Sequence, residues 1–216
     1  MNKLKAVIFD VDGLMLNTEF LWQEAWCAVG KEYGMEKFGD IFHRTVGLTG
    51  KAVNDIIDEE LGDFPKKEEI LAVARQKGMV HVENNVDVMP GVRELLDLLD
   101  EKGITKAVAT TTDRNKTEKR LSKLGLLDRF SVIVCGDEVK NRKPDPEIYL
   151  TVTQKLGIPK ENILVLEDTG YGVRASCQAG LHVIMVPSIN PPGEEEKKMA
   201  YRVVSSLHDV IDLLKG

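Results

Sequence analysis

Two kinds of hydrophobic pattern run along the chain. The first is short and continuous: Ala6-Val7-Ile8-Phe9, Ala107-Val108-Ala109, Val132-Ile133-Val134, Ile163-Leu164-Val165-Leu166 and Val183-Ile184-Met185-Val186. Apolar runs of this length without polar alternation predict strands of a parallel sheet buried on both faces. The second is periodic. Val92, Leu95, Leu96 and Leu99 recur at i, i+3, i+4 and i+7, and Gly103 is well placed to close that helix. Another helix is predicted around Arg114–Leu124, ending at Gly125. A third opens at Asp145-Pro146-Glu147, with Asp145 as N-cap and Pro146 in the first turn. Strand–helix alternation from about Asn84 onward predicts a doubly wound α/β domain.

Residues from about Asn17 to Glu83 follow the helical period alone. Trp22, Trp26, Val29 and Tyr33 share one face, as do Val53, Ile56, Ile57 and Leu61, and then Ile70, Val73 and Ala74. The expected architecture is therefore a Rossmann-like parallel-sheet core, residues 1–16 and 84–216, with a helical cap, 17–83, inserted after the first strand. Hinges are expected near Leu16–Thr18 and Val82–Pro90. The Trp22/Trp26 stripe is read as cap core, and the Pro191-Pro192-Gly193 segment with its charges as a solvated loop.

Charge and cysteine usage narrow the class. Thirty-five acids against 29 bases give a net charge of -6, which disfavours a general nucleic-acid binder, since that needs a basic face. Cys27, Cys135 and Cys177 show no metal-ligand spacing and read as thiols in a reducing compartment. The N-terminus has neither a signal-peptide pattern nor the roughly 18–20 apolar residues of a membrane span. A cytoplasmic monomer that touches neither membrane nor nucleic acid is expected.

The chemistry lies at the strand ends. Strand one delivers Asp10 and Asp12 with Gly13 behind them, a pattern that an ordinary Asp/Gly turn could also produce. Strand two ends in Thr110-Thr111-Thr112, whose hydroxyls and following helix N–H groups suit a phosphate but also suit a simple cap. Strand four ends in Glu167-Asp168-Thr169-Gly170, a second acidic pair or a helix cap. Lys143 precedes Pro144, which keeps it out of helical geometry in a loop just before a helix; alone it would be an ordinary surface lysine. In a parallel sheet these ends border one crevice.

Asp10-x-Asp12-Gly13, Thr110, Lys143-Pro144-Asp145-Pro146 and Glu167-Asp168 resemble, in order, the four motifs of the haloacid dehalogenase superfamily. The early helical insert is similar to the small cap of its β-phosphoglucomutase-like branch. The resemblance implies Asp10 as a nucleophile that becomes phosphorylated and Asp12 as general acid and then base. It implies Thr110 and Lys143 as holders of the phosphoryl group. It also implies a Mg²⁺ site of Asp10, Asp168, Glu167 and the main-chain carbonyl of Asp12. The superfamily's dehalogenases lack the second acid, because halide leaves unprotonated, so Asp12 points to phosphoryl chemistry.

The cap would choose the substrate, and the loop His43–Lys51 is the candidate segment. In β-phosphoglucomutase this loop carries a lysine before the glycine and an arginine three residues after it; here Val46 and Gly50 stand there. That enzyme also has a histidine where this chain has Trp22. Hydrolysis of a small phosphorylated metabolite, such as a sugar or polyol phosphate, is therefore expected. A phosphosugar mutase and a non-catalytic binding protein are the alternatives. Arg44 and Lys51 are candidate substrate contacts, or equally a solvated pair flanking a helix.

Overall fold

The computed structural model describes residues 4–48 and 50–216, so Thr49 of the His43–Lys51 loop and residues 1–3 at the N-terminus lie outside the described residues. Strand β1 (Ala6–Phe9) is followed by four helices, α1 (Thr18–Glu32), α2 (Phe38–Thr45), α3 (Lys51–Leu61) and α4 (Lys67–Asn85). The alternating part then runs α5 (Val92–Glu101), β2 (Thr105–Ala109), α6 (Arg114–Lys123), β3 (Val132–Val134), α7 (Glu147–Leu156), β4 (Ile163–Glu167), α8 (Gly170–Gln178), β5 (His182–Met185), α9 (Glu194–Met199), β6 (Arg202–Val203) and α10 (Leu207–Lys215). The strands pair in parallel in the order β3-β2-β1-β4-β5-β6.

The continuous apolar runs are explained by what covers them. Val7, Phe9, Val108, Leu164 and Leu166 face α5 and α10, while Ala6, Ile8, Ala107, Ala109, Ile163 and Val165 face α7 and α8. Successive residues of a strand point to opposite faces, so both sets must be apolar. The sheet order reverses between β1 and β4, which opens a crevice beyond their carboxyl ends.

The inserted helices carry a core of their own, built from Trp26, Val29, Phe38, Ile41, Phe42, Ile57, Leu61 and Ile70. Trp26 stacks on Phe38 with ring centroids 4.5 Å apart and planes 11° from parallel. Trp22 packs against this core and against the sheet-side core. Its ring occupies the space at Gly78, where a Cβ would lie 2.0 Å from it. The two connecting segments run side by side: Asn17 N–H donates to Asp87 O at 3.1 Å, and Met89 N–H to Met15 O at 2.8 Å. Asp87 N–H donates to the Asn17 side chain at 2.9 Å.

Three local expectations change. Helix α4 continues to Asn85, two residues past the expected boundary. Helix α7 starts at Glu147, with Pro146 in the cap position; Asp145 still caps, accepting from Glu147 N–H at 2.9 Å. The 191–198 run is not wholly a solvated loop, because it contains α9 and buries Glu196 against Arg174 at 2.7 Å. Among the described residues no helix is long and apolar enough to cross a membrane.

Candidate active site

Asp10 follows β1 directly and is 7% exposed. Its neighbours arrive from the adjoining strand ends. The Lys143 ammonium, also buried, donates to Asp10 Oδ1 at 2.6 Å, to Glu167 Oε1 at 2.5 Å and to Ala109 O at 3.0 Å. Sequence alone allowed a surface lysine; the structure turns this one inward. Its loop is held by Glu147, whose carboxylate accepts from Lys140 and Asn141 N–H at 2.9 and 2.8 Å. Lys143 also stands over the ring of Tyr149, 5.0 Å from its centroid.

Glu167 is fully buried and fully engaged. Besides Lys143, its Oε1 accepts from Tyr149 OH at 2.6 Å, and its Oε2 accepts from Asp168 N–H, Thr169 N–H and Thr169 Oγ1 at 3.1–3.2 Å. Thr169 doubles as the N-cap of α8. Only glycine fits at position 172, where a Cβ would fall 1.8 Å from the Glu167 carboxyl carbon. Asp168 differs. Its Oδ2 accepts from Ser188 Oγ at 2.5 Å, but its Oδ1 is buried without a partner. Gly13 leaves room for it: its φ is +87°, and a Cβ there would sit 2.1 Å from Asp168 Oδ2.

Asp10, Glu167 and Asp168 each place a carboxylate oxygen within 4.8 Å of the others. Three buried carboxylates thus face one ammonium, and unpaired buried charge is costly. The cost appears as shifted protonation. Burial, with Glu167 and Asp12 nearby, pushes Asp10 up to about 7 against the pull of Lys143. Burial, with Asp10 and Glu167, raises Asp168 well above the usual carboxylate range. Burial would lower Lys143, but Asp10 and Glu167 overcome it and hold the ammonium well above its usual value. The orphaned Asp168 oxygen and the excess of negative charge fit a hard divalent cation with oxygen ligands. Glu167, expected in that ligand set, lies in this group of carboxylates and is held by five donors, Lys143 among them.

Asp12 stands apart from this cluster. Its Oδ2 accepts from Thr112 Oγ1 at 2.7 Å and Thr110 Oγ1 at 3.3 Å, and its Oδ1 from Arg120 Nη1 at 3.0 Å. Glu19, half-buried in the first turn of α1, belongs to the same electrostatic neighbourhood. Burial, with Asp12 and Asp10, pushes it up to about 8 against the pull of Arg120.

The structure therefore gathers Asp10, Asp12, Thr110, Lys143, Glu167 and Asp168, and adds Tyr149, Ser188, Thr112, Arg120 and Glu19, none of which the sequence singled out as a site residue. Of these, only Thr112 lay inside a segment already marked as chemical. Arg44 and Lys51 are not drawn in. Arg44 is bound to Glu59 and Glu60, and Lys51 to Asp55, all at the exposed surface of the insert. The reason is local: α3 carries those acids within reach of both cations. What this segment turns toward the sheet domain is His43, whose carbonyl accepts from Asn190 Nδ2 at 2.7 Å, and Val46. Val46, Asp168 and Ser188 line a cavity of about 220 Å³.

The family model of the haloacid dehalogenase-like hydrolases matches residues 7–186. A phosphorylated carbohydrates phosphatase of Thermotoga maritima is 38% identical over 195 residues, covering 87% of this chain and 88% of that protein. Hexitol phosphatase B of Escherichia coli K12 is 29% identical over 214 residues, covering 96% and 95%. The crystal structure of CbbY from Rhodobacter sphaeroides in complex with phosphate superposes with a TM-score of 0.73 at 27% identity, covering 96% of each chain. By family match, fold and the convergence of acids and lysine at one sheet edge, the chain belongs to the haloacid dehalogenase-like hydrolases.

Proposed function

We propose that the chain is a Mg²⁺-dependent phosphatase of a small phosphorylated metabolite, a sugar or polyol phosphate, acting through an aspartyl-phosphate on Asp10. The observation that carries the reading is the buried set of Asp10, Glu167 and Asp168 around a single Lys143, with one Asp168 oxygen unpartnered. The relatives that act on phosphorylated carbohydrates and hexitols support the substrate class.

Asp10 and Asp168, with the main-chain carbonyl of Asp12, would hold the cation. When bound, it offsets repulsion between an anionic nucleophile and an anionic phosphate and favours ionised Asp10. The chain's own groups do the rest. An Asp10 oxygen attacks phosphorus as the bond to the leaving oxygen breaks, and Asp12 gives that oxygen its proton. Asp12 then takes a proton from a water that attacks the phosphoenzyme, releasing phosphate and restoring Asp10. Lys143, oriented by Glu167 and Tyr149, and the Thr110 hydroxyl place donors where negative charge accumulates on the phosphoryl oxygens.

The direct test is inorganic phosphate release from sugar, polyol and nucleotide monophosphates, with Mg²⁺ and with chelator. Release from sugar or polyol phosphates that chelator abolishes is expected. Conversion to an isomer without release would favour a mutase, and no turnover on any ester would end the reading.

A second prediction concerns pH. Asp10 is raised from its usual 3.8 to about 7 in the folded chain. Between those values the folded chain holds a proton that the unfolded chain has lost, so this group's contribution to stability falls as pH rises through that window. A divalent cation must displace the proton. The Tm gain from added Mg²⁺ should therefore be larger at about pH 8 than at about pH 5. Equal gains at both would remove Asp10 from the metal site.

A further inference from the structure

Helix α6 is among the most polar elements of the sheet domain: five of its ten residues, Arg114, Lys116, Lys119, Arg120 and Lys123, are basic. Four of them make outward contacts. Arg114 binds Glu118 and Glu138, Lys116 binds Asp113, Lys119 binds Glu83, and Lys123 donates to the carbonyls of Glu83 and Asn84. Arg120 turns inward, with its side chain 12% exposed, and among the described residues its ion pair is to Asp12, itself 17% exposed. A guanidinium is withdrawn from water at a cost unless it is paired. Arg120 also faces Glu19, which it pulls down, but its direct contact is the pair with Asp12.

We infer that Arg120 is a positioning residue for the acid–base step: it fixes the Asp12 carboxylate within reach of the leaving-group oxygen. Asp12 lies beyond the end of β1, where its main chain makes only an isolated bridge to Leu16 and its side chain is left to side-chain partners. Its Oδ2 has hydroxyl donors only, from Thr112 and Thr110. Its Oδ1 has Arg120. A charge-assisted bond from a separate element defines the carboxylate plane more firmly than rotatable hydroxyls do. The platform is anchored as well. Lys119 and Lys123 tie α6 to the last turn of α4, where helix carbonyls lack intrahelical partners. Arg120 is therefore presented from a helix fastened to the base of the insert.

This rests on the phosphatase reading, in which Asp12 protonates the leaving group, and the test separates the two. The values of kcat/KM are measured with Mg²⁺ for aryl phosphates of similar size, from p-nitrophenyl to phenyl phosphate. Four proteins are compared: wild type, Asp12→Asn, Arg120→Met and Arg120→Lys. This ratio reports phosphoryl transfer and leaving-group departure, free of the later hydrolysis step. Asp12→Asn should steepen the dependence on leaving-group basicity. Arg120→Met should steepen it in the same direction, losing about 10–100-fold on phenyl phosphate but no more than about threefold on the nitro ester. Arg120→Lys should restore part of the slope, and it carries the same test if the Met variant fails to fold.

A parallel fall on all esters in both Arg120 variants, beside a steep Asp12→Asn line, would make Arg120 merely structural. An increase in KM with the slope unchanged would make it a substrate contact. Either result overturns the inference while leaving the phosphatase reading intact. An unchanged slope in Asp12→Asn would instead remove the acid role and the positioning role together.

Discussion

Asp10→Asn should abolish turnover, lowering kcat by about 10⁴-fold or more, while the protein stays folded. The replacement is nearly isosteric, but an amide oxygen does not act as the attacking group. Its structural effect should be small for an electrostatic reason. Burial, with the Glu167 and Asp12 carboxylates, raises Asp10 to about 7 against the pull of Lys143, so its charge is a burden in the cation-free protein. Lys143 keeps Glu167 as a partner when Asp10 loses its charge. The cation-free variant should therefore melt at or slightly above the wild-type Tm, and it should gain less from Mg²⁺ because a ligand charge is gone. Rapid-quench labelling with a radioactive phosphate ester should show hydroxylamine-sensitive phosphoprotein in the wild type and none in the variant. Near-normal hydrolysis by well-folded Asp10→Asn would remove Asp10 as nucleophile.

The parts of the molecule that can be read in its sequence are those whose reason is local. Ala6–Phe9 and Ile163–Leu166 declare themselves as buried strands because both faces must be apolar. Strand β6 does not, since it is two residues long and one of them is Arg202. Asp10, Asp12, Thr110, Lys143 and Asp168 are legible as residue types placed at strand ends. Tyr149, Ser188 and Arg120 are not, because their partners lie 18, 20 and 108 positions away. A tyrosine on an apolar helix face reads as core, and here it is both core and the donor that fixes Glu167. Arg44 and Lys51 show the converse: cations in a suggestive segment are claimed by acids of α3, Arg44 by Glu59 and Glu60 and Lys51 by Asp55 one turn on. The Lys51 pair is an i,i+4 spacing within one helix, whereas the Arg44 pairs depend on how α2 and α3 pack, which spacing does not record.

Lys143→Met should damage stability and activity together, and the two losses can be separated. The Lys143 side chain is 4% exposed, and its ammonium lies between Asp10 and Glu167. Removing it strands two buried carboxylates, a change that costs about 3–5 kcal/mol when a buried pair is broken on one side. The carboxylates can escape part of this by taking up protons, so the loss of Tm should be smaller at about pH 5 than at about pH 8. Added Mg²⁺ should recover some stability, since it also neutralises Asp10. It should not recover turnover, because the donor aimed at the phosphoryl oxygens is gone; a fall of about 10²–10³-fold in kcat is expected even in saturating cation. Adding Glu167→Gln to Lys143→Met removes the second stranded charge while the new amide nitrogen meets donors from which Glu167 accepted, so the double variant should lose clearly less than the sum of the two single losses. That shortfall is the informative result: it separates a lysine that neutralises carboxylates from one that merely fills space beside Tyr149. If the double variant is less stable by the sum of the two single losses, the ion pairs do not couple, and the electrostatic account of this site fails.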